Sequence, residues 1–522
     1  MKSLFTNHRT TVILILISLT ALCVRLPGLE LRPFHGDEAN QAYKTGHDLL
    51  EEGTYVYDPD DHHGPTLYYL TLIPLHLAGQ TTFIETRDWA YRTVPVFFGA
   101  ALIFLMVLLR PAMSASMLVV SGLLVCLSPA FVFYSRYYIQ EMLLVFFSLA
   151  AIGFGYRYFI KPSTGLALCT GASLSLMHAT KETAIIAYAS IFTGLVILGV
   201  MYRNDDHVMQ TRSEMKLKHL YAGLGIAVAL NILLFTAFFT HAAGPLDSIY
   251  TYGNYIKRAD GFGLHDKPWE YYLRILAYDK RGPQYWFSEG FALLGGGIGI
   301  ITLFVQLIRK NKPSPLFIFL TVYTVCMITV YSLIPYKTPW TMLSFYHGII
   351  LLAGYAFGQL YSQTKTTAIR CVWAVLFAIG LGHFGYQAYI QNVEIPTDTR
   401  NPYVYAHTSS ASLKMIDRAH QIKAIHPDPE NMVIMVVQPD GDYWPLPYYL
   451  RDISHIGFYP TIPKNLDMAD MIIADPRTRE HLAEVIKDDY TKEMGGLRPS
   501  VLRHIYIKRD LWDAYLETLN EG

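Results

Sequence analysis

The apolar residues of this chain come in long blocks, not in the alternation of a sheet protein. Blocks at about 10–28, 91–109, 113–133, 138–159, 164–179, 182–201, 219–240, 288–307, 315–334, 341–360 and 369–390 each approach the roughly 20 residues a helix needs to cross a bilayer core. They predict about eleven membrane helices. "GPTLYYLTLIPLHLAG" (64–79) is also apolar, but it is short and interrupted by Pro74 and His76. It is expected to lie along the interface as a helix that does not cross. After residue 390 the pattern changes. "NMVIMVV" (431–437), "ADMIIAD" (469–475) and "LRHIYIKR" (502–509) read as buried strands, and "TREHLAEVIKDD" (478–489) and "LWDAYLETL" (511–519) as helices. The expected architecture is a polytopic all-α membrane domain over 1–390 and a small α/β soluble domain over 391–522. The sequence shows no internal repeat and no low-complexity tract.

Composition supports this division. Of 522 residues, 52% are hydrophobic and 16% charged, whereas soluble domains average about 25% charged. Net charge is zero, so nothing points to a nucleic-acid partner. Cys23, Cys126, Cys169, Cys326 and Cys371 lie inside apolar blocks without C-x-x-C spacing, and read as small core residues. The run Thr11–Val24 follows Lys2, His8 and Arg9 and has no small-residue cleavage site after it, so it reads as a retained first helix.

Cation placement orients the chain. If 64–79 does not cross, the segments on one side hold Arg9, Arg110, Arg157 with Lys161, Arg203 to Lys218, "RKNK" (309–312), and Lys365 with Arg370. The positive-inside rule places these in the cytoplasm and the tail outside. The outer face then gathers the loop 29–90, "YSRYYIQE" (134–141), "HATKET" (178–183), the long loop 241–287 and "YKTPW" (336–340). Such convergence of polar groups on one face suggests a site there.

The first outer loop opens with Asp37 and Glu38. Behind them Ala39, Ala42, Tyr43, Gly46, Leu49 and Leu50 recur at helical spacing, and Gly53 can end that helix. Asp37 is therefore expected at or near an N-cap, where the positive end of the helix keeps it ionised. An ionised carboxylate there can take a proton from a hydroxyl or bind a cation; it can also be nothing more than a cap. Further on, His62 and His63 with Asp60 and Asp61 offer ligands for a divalent metal, though a solvated turn accounts for the same spacing. Arg136 and Glu141 stand at the end of one span, and Lys181 and Glu182 between two others. Charges so placed form structural ion pairs, such as Arg136 with Glu141, or face a water-filled cavity. Lys337, beside Tyr336 and Trp340, reads as a snorkelling anchor or as one more cation for a phosphate-linked donor.

These motifs, in this order, resemble the GT-C superfamily of membrane glycosyltransferases, in the branch of the protein O-mannosyltransferases and the lipid A aminoarabinose transferase. The segments that carry the likeness are "GDEANQAY", "HHGPTLYYL", "YRTVPVFFG", "SPAFVFYSRYYIQE" and "ATKET". The match is closer to a flippase-activity-associated family of archaeal-type glycosylation clusters, through "FHGDEA", "YDPDDHHGPTLYYL", "YKTPW", "DYWPLPYYLRD" and "KRDLWD". The resemblance implies an inverting glycosyltransferase. It would take a hexose or pentose from a polyprenyl-phosphate donor and pass it to a lipid, glycan or protein hydroxyl at the outer face of the cytoplasmic (inner) membrane. By position, Asp37 is the base with Glu38 in support, Glu141 the second acid, and Lys181 a phosphate contact. Arg136, Lys337 and Tyr336 join the donor site. His63 falls near a position that binds metal or phosphate in one relative, while Gly64 departs from that relative's lysine.

Two other functions fit the same fold: a lipid-linked sugar flippase or transporter component, and a noncatalytic scaffold. A transporter is expected to show repeats or broken helices near mid-membrane, and the sequence shows neither.

Overall fold

The computed structural model describes residues 2–61, 63–259, 265–486 and 488–521. It divides into two compact units. The first comprises Met1–Leu29, Thr54–Pro74 and Trp89–Ile395, and the second Glu30–Gly53, Leu75–Asp88 and Pro396–Gly522. The second unit thus takes two pieces of the first loop in addition to the tail.

The first unit is a helical membrane bundle. Among the described residues, nine helices are long and apolar enough to cross a bilayer, or ten if a bent pair counts as one span. Ten of the eleven predicted spans correspond to these. The eleventh, 164–179, is the helix Thr164–His178, whose fifteen residues extend about 22 Å, short of a bilayer core. Helix Pro339–Gln363 is the most buried, with 89% of its apolar window inside the protein, against 6% for Leu217–Phe235 and Thr367–Glu394. The buried helix gains its central place through small residues. A β-carbon on Gly354 would fall 1.9 Å from Ser121 Oγ, so glycine there lets two backbones approach. The two poorly buried helices instead show apolar faces (Leu217, Leu220, Leu224, Val372, Val375) of the kind lipid covers.

One span is broken, contrary to the sequence reading. Helices Ala115–Leu127 and Pro129–Ser135 bend by 59° at Ser128. Pro129 opens the second helix, where its missing N–H costs nothing. The freed amide end is met by the buried Glu289 carboxylate, which accepts from Ala130 N and Ser128 Oγ at 2.6 Å each and from the Tyr346 hydroxyl at 2.5 Å. The positive end of this half-helix is therefore filled by the protein itself.

Helix Thr66–Leu77 has twelve residues, a length of about 18 Å. That is short of the roughly 30 Å a span must cover.

The second unit is built on a five-stranded mixed sheet with strands β1 (Val433–Val437), β2 (His455–Tyr459), β3 (Met471–Ala474), β4 (Tyr490–Arg498) and β5 (Val501–Lys508). The order is β2-β1-β3-β5-β4, with β2, β1 and β3 parallel and β5 and β4 antiparallel. Ile434 and Val436 point into one core with Met415, Ala419 and Leu511, from helices Ser410–Ile425 and Arg509–Glu521. Met435 and Val437 point into the other with Leu482 and Ile486 of helix Arg479–Ile486. Burial on both faces is why "VIMVV" is continuously apolar. The half-exposed β2 and β4 and the helix 410–425 lack that signal and were not read from the sequence.

Candidate active site

Asp37 and Glu38 lie in the second unit, at the start of helix Gly36–Tyr43. The helix continues with wider, π-type turns through Lys44–Glu51 and stops before Gly53, whose φ is +69°. The cap is not Asp37, as the sequence suggested, but His35. Its Nδ1 accepts from Asp37 N at 2.9 Å, while Glu38 Oε2 accepts from His35 N at 3.0 Å. This is a capping box with histidine in place of serine or threonine. It was missed because an imidazole can act as a cap only as the neutral tautomer with Nδ1 unprotonated. Here Nε2 donates to the Tyr405 carbonyl at 3.1 Å, which sets that tautomer. Burial holds the His35 pKa below its ordinary value, against the pull of Asp37 and Glu38.

The two adjacent acids consequently differ. Glu38 is fully buried, closing the box and pairing with Arg32 at 3.7 Å. The Asp37 side chain stays 44% exposed, at the second helical residue, where the amide end of the helix favours its charge.

The other predicted residues lie in the first unit. Glu141 begins helix Glu141–Ile160, and Lys181 sits in the turn between helices Thr164–His178 and Ala184–Met201. Lys181 Nζ donates to Glu141 Oε1, and both residues are buried. Lys181 and Glu141, given separate places in the sequence, thus form one ion pair. Glu141 Oε2 is buried with no hydrogen-bond partner among the described residues. Lys181 has three N–H donors and gives one to Glu141.

The next residue, Glu182, was left out of the site read from the sequence, although its place beside Lys181 between two spans was visible. It is buried, accepting from Tyr57 OH at 3.2 Å and facing His63 Nδ1 at 2.7 Å. Burial, with Lys181 close by, lowers the His63 pKa, so the neutral ring donates its Nδ1 proton to the carboxylate. Burial and Glu182 raise the Tyr57 phenol. What joins these segments is backbone: Thr66 N and Oγ1 both donate to the Ala179 carbonyl at 3.1 Å, and Thr66 Oγ1 lies 2.7 Å from Thr180 Oγ1.

Arg136 and Lys337 are held elsewhere. The Arg136 guanidinium donates to the carbonyls of Arg25 (2.9 Å), Pro27 (2.6 Å) and Gly28 (2.8 Å), tying down the end of the first helix. Lys337 Nζ donates to the carbonyls of Lys267 (3.1 Å) and Ile334, and burial lowers its pKa. Tyr336 pairs with Asp266 through a β-bridge and packs its ring on His265 at 4.7 Å.

Among the described residues, His63, Asp60 and Asp61 form no group with metal-type donors in reach of one another. His62 lies outside the described residues. Asp60 accepts from Asn254 Nδ2 at 2.7 Å, and His63 meets the single carboxylate of Glu182. Among the described residues, the group with metal-type donors in reach of one another is His47, Asp48 and Glu52.

Comparison with known proteins agrees with the motifs. Residues 68–244 match the sequence model of the dolichyl-phosphate-mannose-protein mannosyltransferases. No curated protein matches. The fold is similar to that of ArnT from Cupriavidus metallidurans, solved with undecaprenyl phosphate. The TM-score is 0.62 at 14% identity, over 94% of this chain and 97% of that one. It is also similar to the archaeal oligosaccharyltransferase AglB from Archaeoglobus fulgidus, solved with an inhibitory peptide and a dolichol-phosphate (TM-score 0.56, 11% identity, 98% and 77% coverage). A third likeness is to the S. cerevisiae protein O-mannosyltransferase Pmt1-Pmt2 complex bound to its sugar donor (TM-score 0.54, 10% identity, 78% and 91% coverage). The chain is a multi-pass membrane protein with the GT-C fold, as the resemblance to the ArnT and mannosyltransferase branch implied.

Proposed function

We propose that this protein is an inverting glycosyltransferase that moves a sugar from a polyprenyl-phosphate donor to a hydroxyl acceptor at the outer membrane face. Fold alone does not assign chemistry. The observation that carries the reading is the division of labour in the acid pair: Glu38 is buried in the cap, while the Asp37 side chain is 44% exposed at the helix start. That is the arrangement a general base requires.

In this mechanism the Asp37 carboxylate accepts the acceptor's hydroxyl proton. The acceptor oxygen forms a bond to the anomeric carbon as the bond from that carbon to the phosphate oxygen breaks. A single in-line displacement inverts the anomeric centre, and the polyprenyl phosphate leaves with the bonding pair. Lys181 supplies positive charge to the departing phosphate through the donors it does not give to Glu141. The unpartnered Oε2 of Glu141 is suited to accept from a donor-sugar hydroxyl. Lys and Arg clustering in the alternate loops supports the outer face.

The test is donor consumption by the full-length protein in liposomes, using radiolabelled polyprenyl-phosphate hexoses and pentoses with a membrane extract as acceptor. The wild type should consume at least one donor and Asp37→Asn none. Equal consumption by both, or by neither, defeats the proposal.

A further inference from the structure

The second unit contains a cavity of about 560 Å³ that no step above uses. It runs beside the later part of helix 36–51, at Tyr43, His47 and Glu51. Tyr43 lines it, with its ring edge-on to Phe83 (5.3 Å, 82°) and to Trp444 (6.0 Å, 77°) and stacked on His47 (4.6 Å, 19°). Tyr443 and Phe458, 4.8 Å apart, extend the aromatic wall. The remaining lining mixes apolar Ile84, Pro447, Ile453 and Ile456 with polar His47, the exposed Glu51, the exposed Ser454 and Arg451. Arg451 is fixed by the carbonyls of Phe83 (3.0 Å), Tyr448 (2.6 Å) and Thr86 (2.7 Å), so it is part of the wall.

This lining selects a ligand class. A lipid tail has no use for Glu51, His47 and Ser454. An anion meets Glu51, with Asp48 and Glu52 next to His47. An ammonium headgroup would leave most of the volume unfilled. A pyranose matches both halves, with C–H faces for aromatic rings and hydroxyls for the carboxylate, imidazole and serine. The volume lies within the range of about 300–1,000 Å³ of sites that enclose whole small ligands, enough for one or two sugar rings.

One lining residue, Trp444, links the cavity to the start of the helix. A β-carbon on Gly36 would stand 3.4 Å from Trp444 Cβ, and Gly36 immediately precedes Asp37. We infer that the cavity is the acceptor subsite and that the acceptor is a carbohydrate, its terminal ring laid against Trp444 so that a hydroxyl reaches Asp37. This names the acceptor class for the glycosyl transfer proposed above and rests on that reading.

The experiment is saturation-transfer NMR on the detergent-solubilised full chain, without donor. Probes are short gluco-, manno-, galacto- and chito-configured oligosaccharides, with a tetrapeptide of polar and aromatic residues and phosphocholine as rivals. At least one oligosaccharide series should bind, and Trp444→Leu and Glu51→Gln should each weaken it about tenfold. Glu51→Gln changes an exposed side chain by one charge, so it reports even if Trp444→Leu folds poorly. Binding of peptide or phosphocholine alone, no sugar binding, or sugar binding untouched by both cavity substitutions overturns the inference while leaving Asp37 to its own assay. Sugar binding together with full transfer by Asp37→Asn keeps the cavity and rejects the base.

Discussion

Gly64 packs flush on the backbone of Ala179: a β-carbon there would lie 2.2 Å from the Ala179 carbonyl oxygen and 2.5 Å from its carbon. Neither atom belongs to a side chain that can swing away. The close approach lets Thr66 bond to Ala179 and sets His63 against Glu182. A side chain at this position requires the loop 57–65 to shift. Gly64→Ala is therefore expected to destabilise the protein by about 1–3 kcal/mol, read as a lowered Tm in detergent, while Gly64→Lys should do worse. An unchanged Tm for both would show that the contact yields easily.

The acid pair separates stability from activity. Asp37→Asn and Asp37→Ala should both leave Tm nearly unchanged, because the cap is His35, and both should abolish transfer. Glu38→Ala removes one arm of the capping box and leaves Arg32 facing a buried gap. It is expected to cost about 1 kcal/mol or more. Thermal denaturation and donor consumption, measured on the same preparations, check both halves.

Lys181→Met tests the buried pair. It strands the Glu141 carboxylate in the interior, so it should cost roughly 3–5 kcal/mol as well as activity. Adding Glu141→Gln removes the stranded charge and should recover most of the Tm with no recovery of turnover. A single variant as stable as the wild type would mean that water reaches this pair.

Acid should loosen the structure below neutrality. His35 and His63 both have pKa values held below the ordinary 6.5, chiefly by burial. Each therefore binds fewer protons when folded than when unfolded. Their contribution is fully present above 6.5 and is lost as pH falls through the folded values. Tm should fall as pH drops below 6.5, and less so in His35→Asn, since asparagine caps without titrating. A Tm that rises over that range contradicts the assignment of neutral rings.

Orientation is checked by thiol labelling in a cysteine-free background. Cysteines at the exposed Thr82 and Ser454 should react with an impermeant reagent from outside, and one at the exposed Asn311 only after the membrane is opened. Labelling of position 82 from the cytoplasm alone would reverse the loop and remove the outer-face site.

The sequence by itself determined the bundle, because a helix that crosses lipid must be apolar along some twenty residues whatever it packs against. It determined the short helix 66–77 by length and the doubly buried strands β1 and β3 by unbroken apolar runs. It marked Asp37, Glu38, Glu141 and Lys181 as charges beside membrane spans, and the resemblance of their motifs to the GT-C glycosyltransferases made them candidates. Tertiary structure decided what each of these residues meets. Lys181 finds Glu141, forty residues away in the chain. Arg136 binds carbonyls at the end of the first helix, and His63 finds Glu182 beside the close approach of Gly64 to Ala179. His35 displaces Asp37 from the cap through a tautomer that the Tyr405 carbonyl sets from the far end of the chain. The break at Ser128 was written in Pro129, but its buried carboxylate comes from Glu289, which no local pattern could pair with it. Periodicity and burial cost are local properties that a sequence displays; hydrogen-bond partners separated by many residues depend on where the fold brings the backbone.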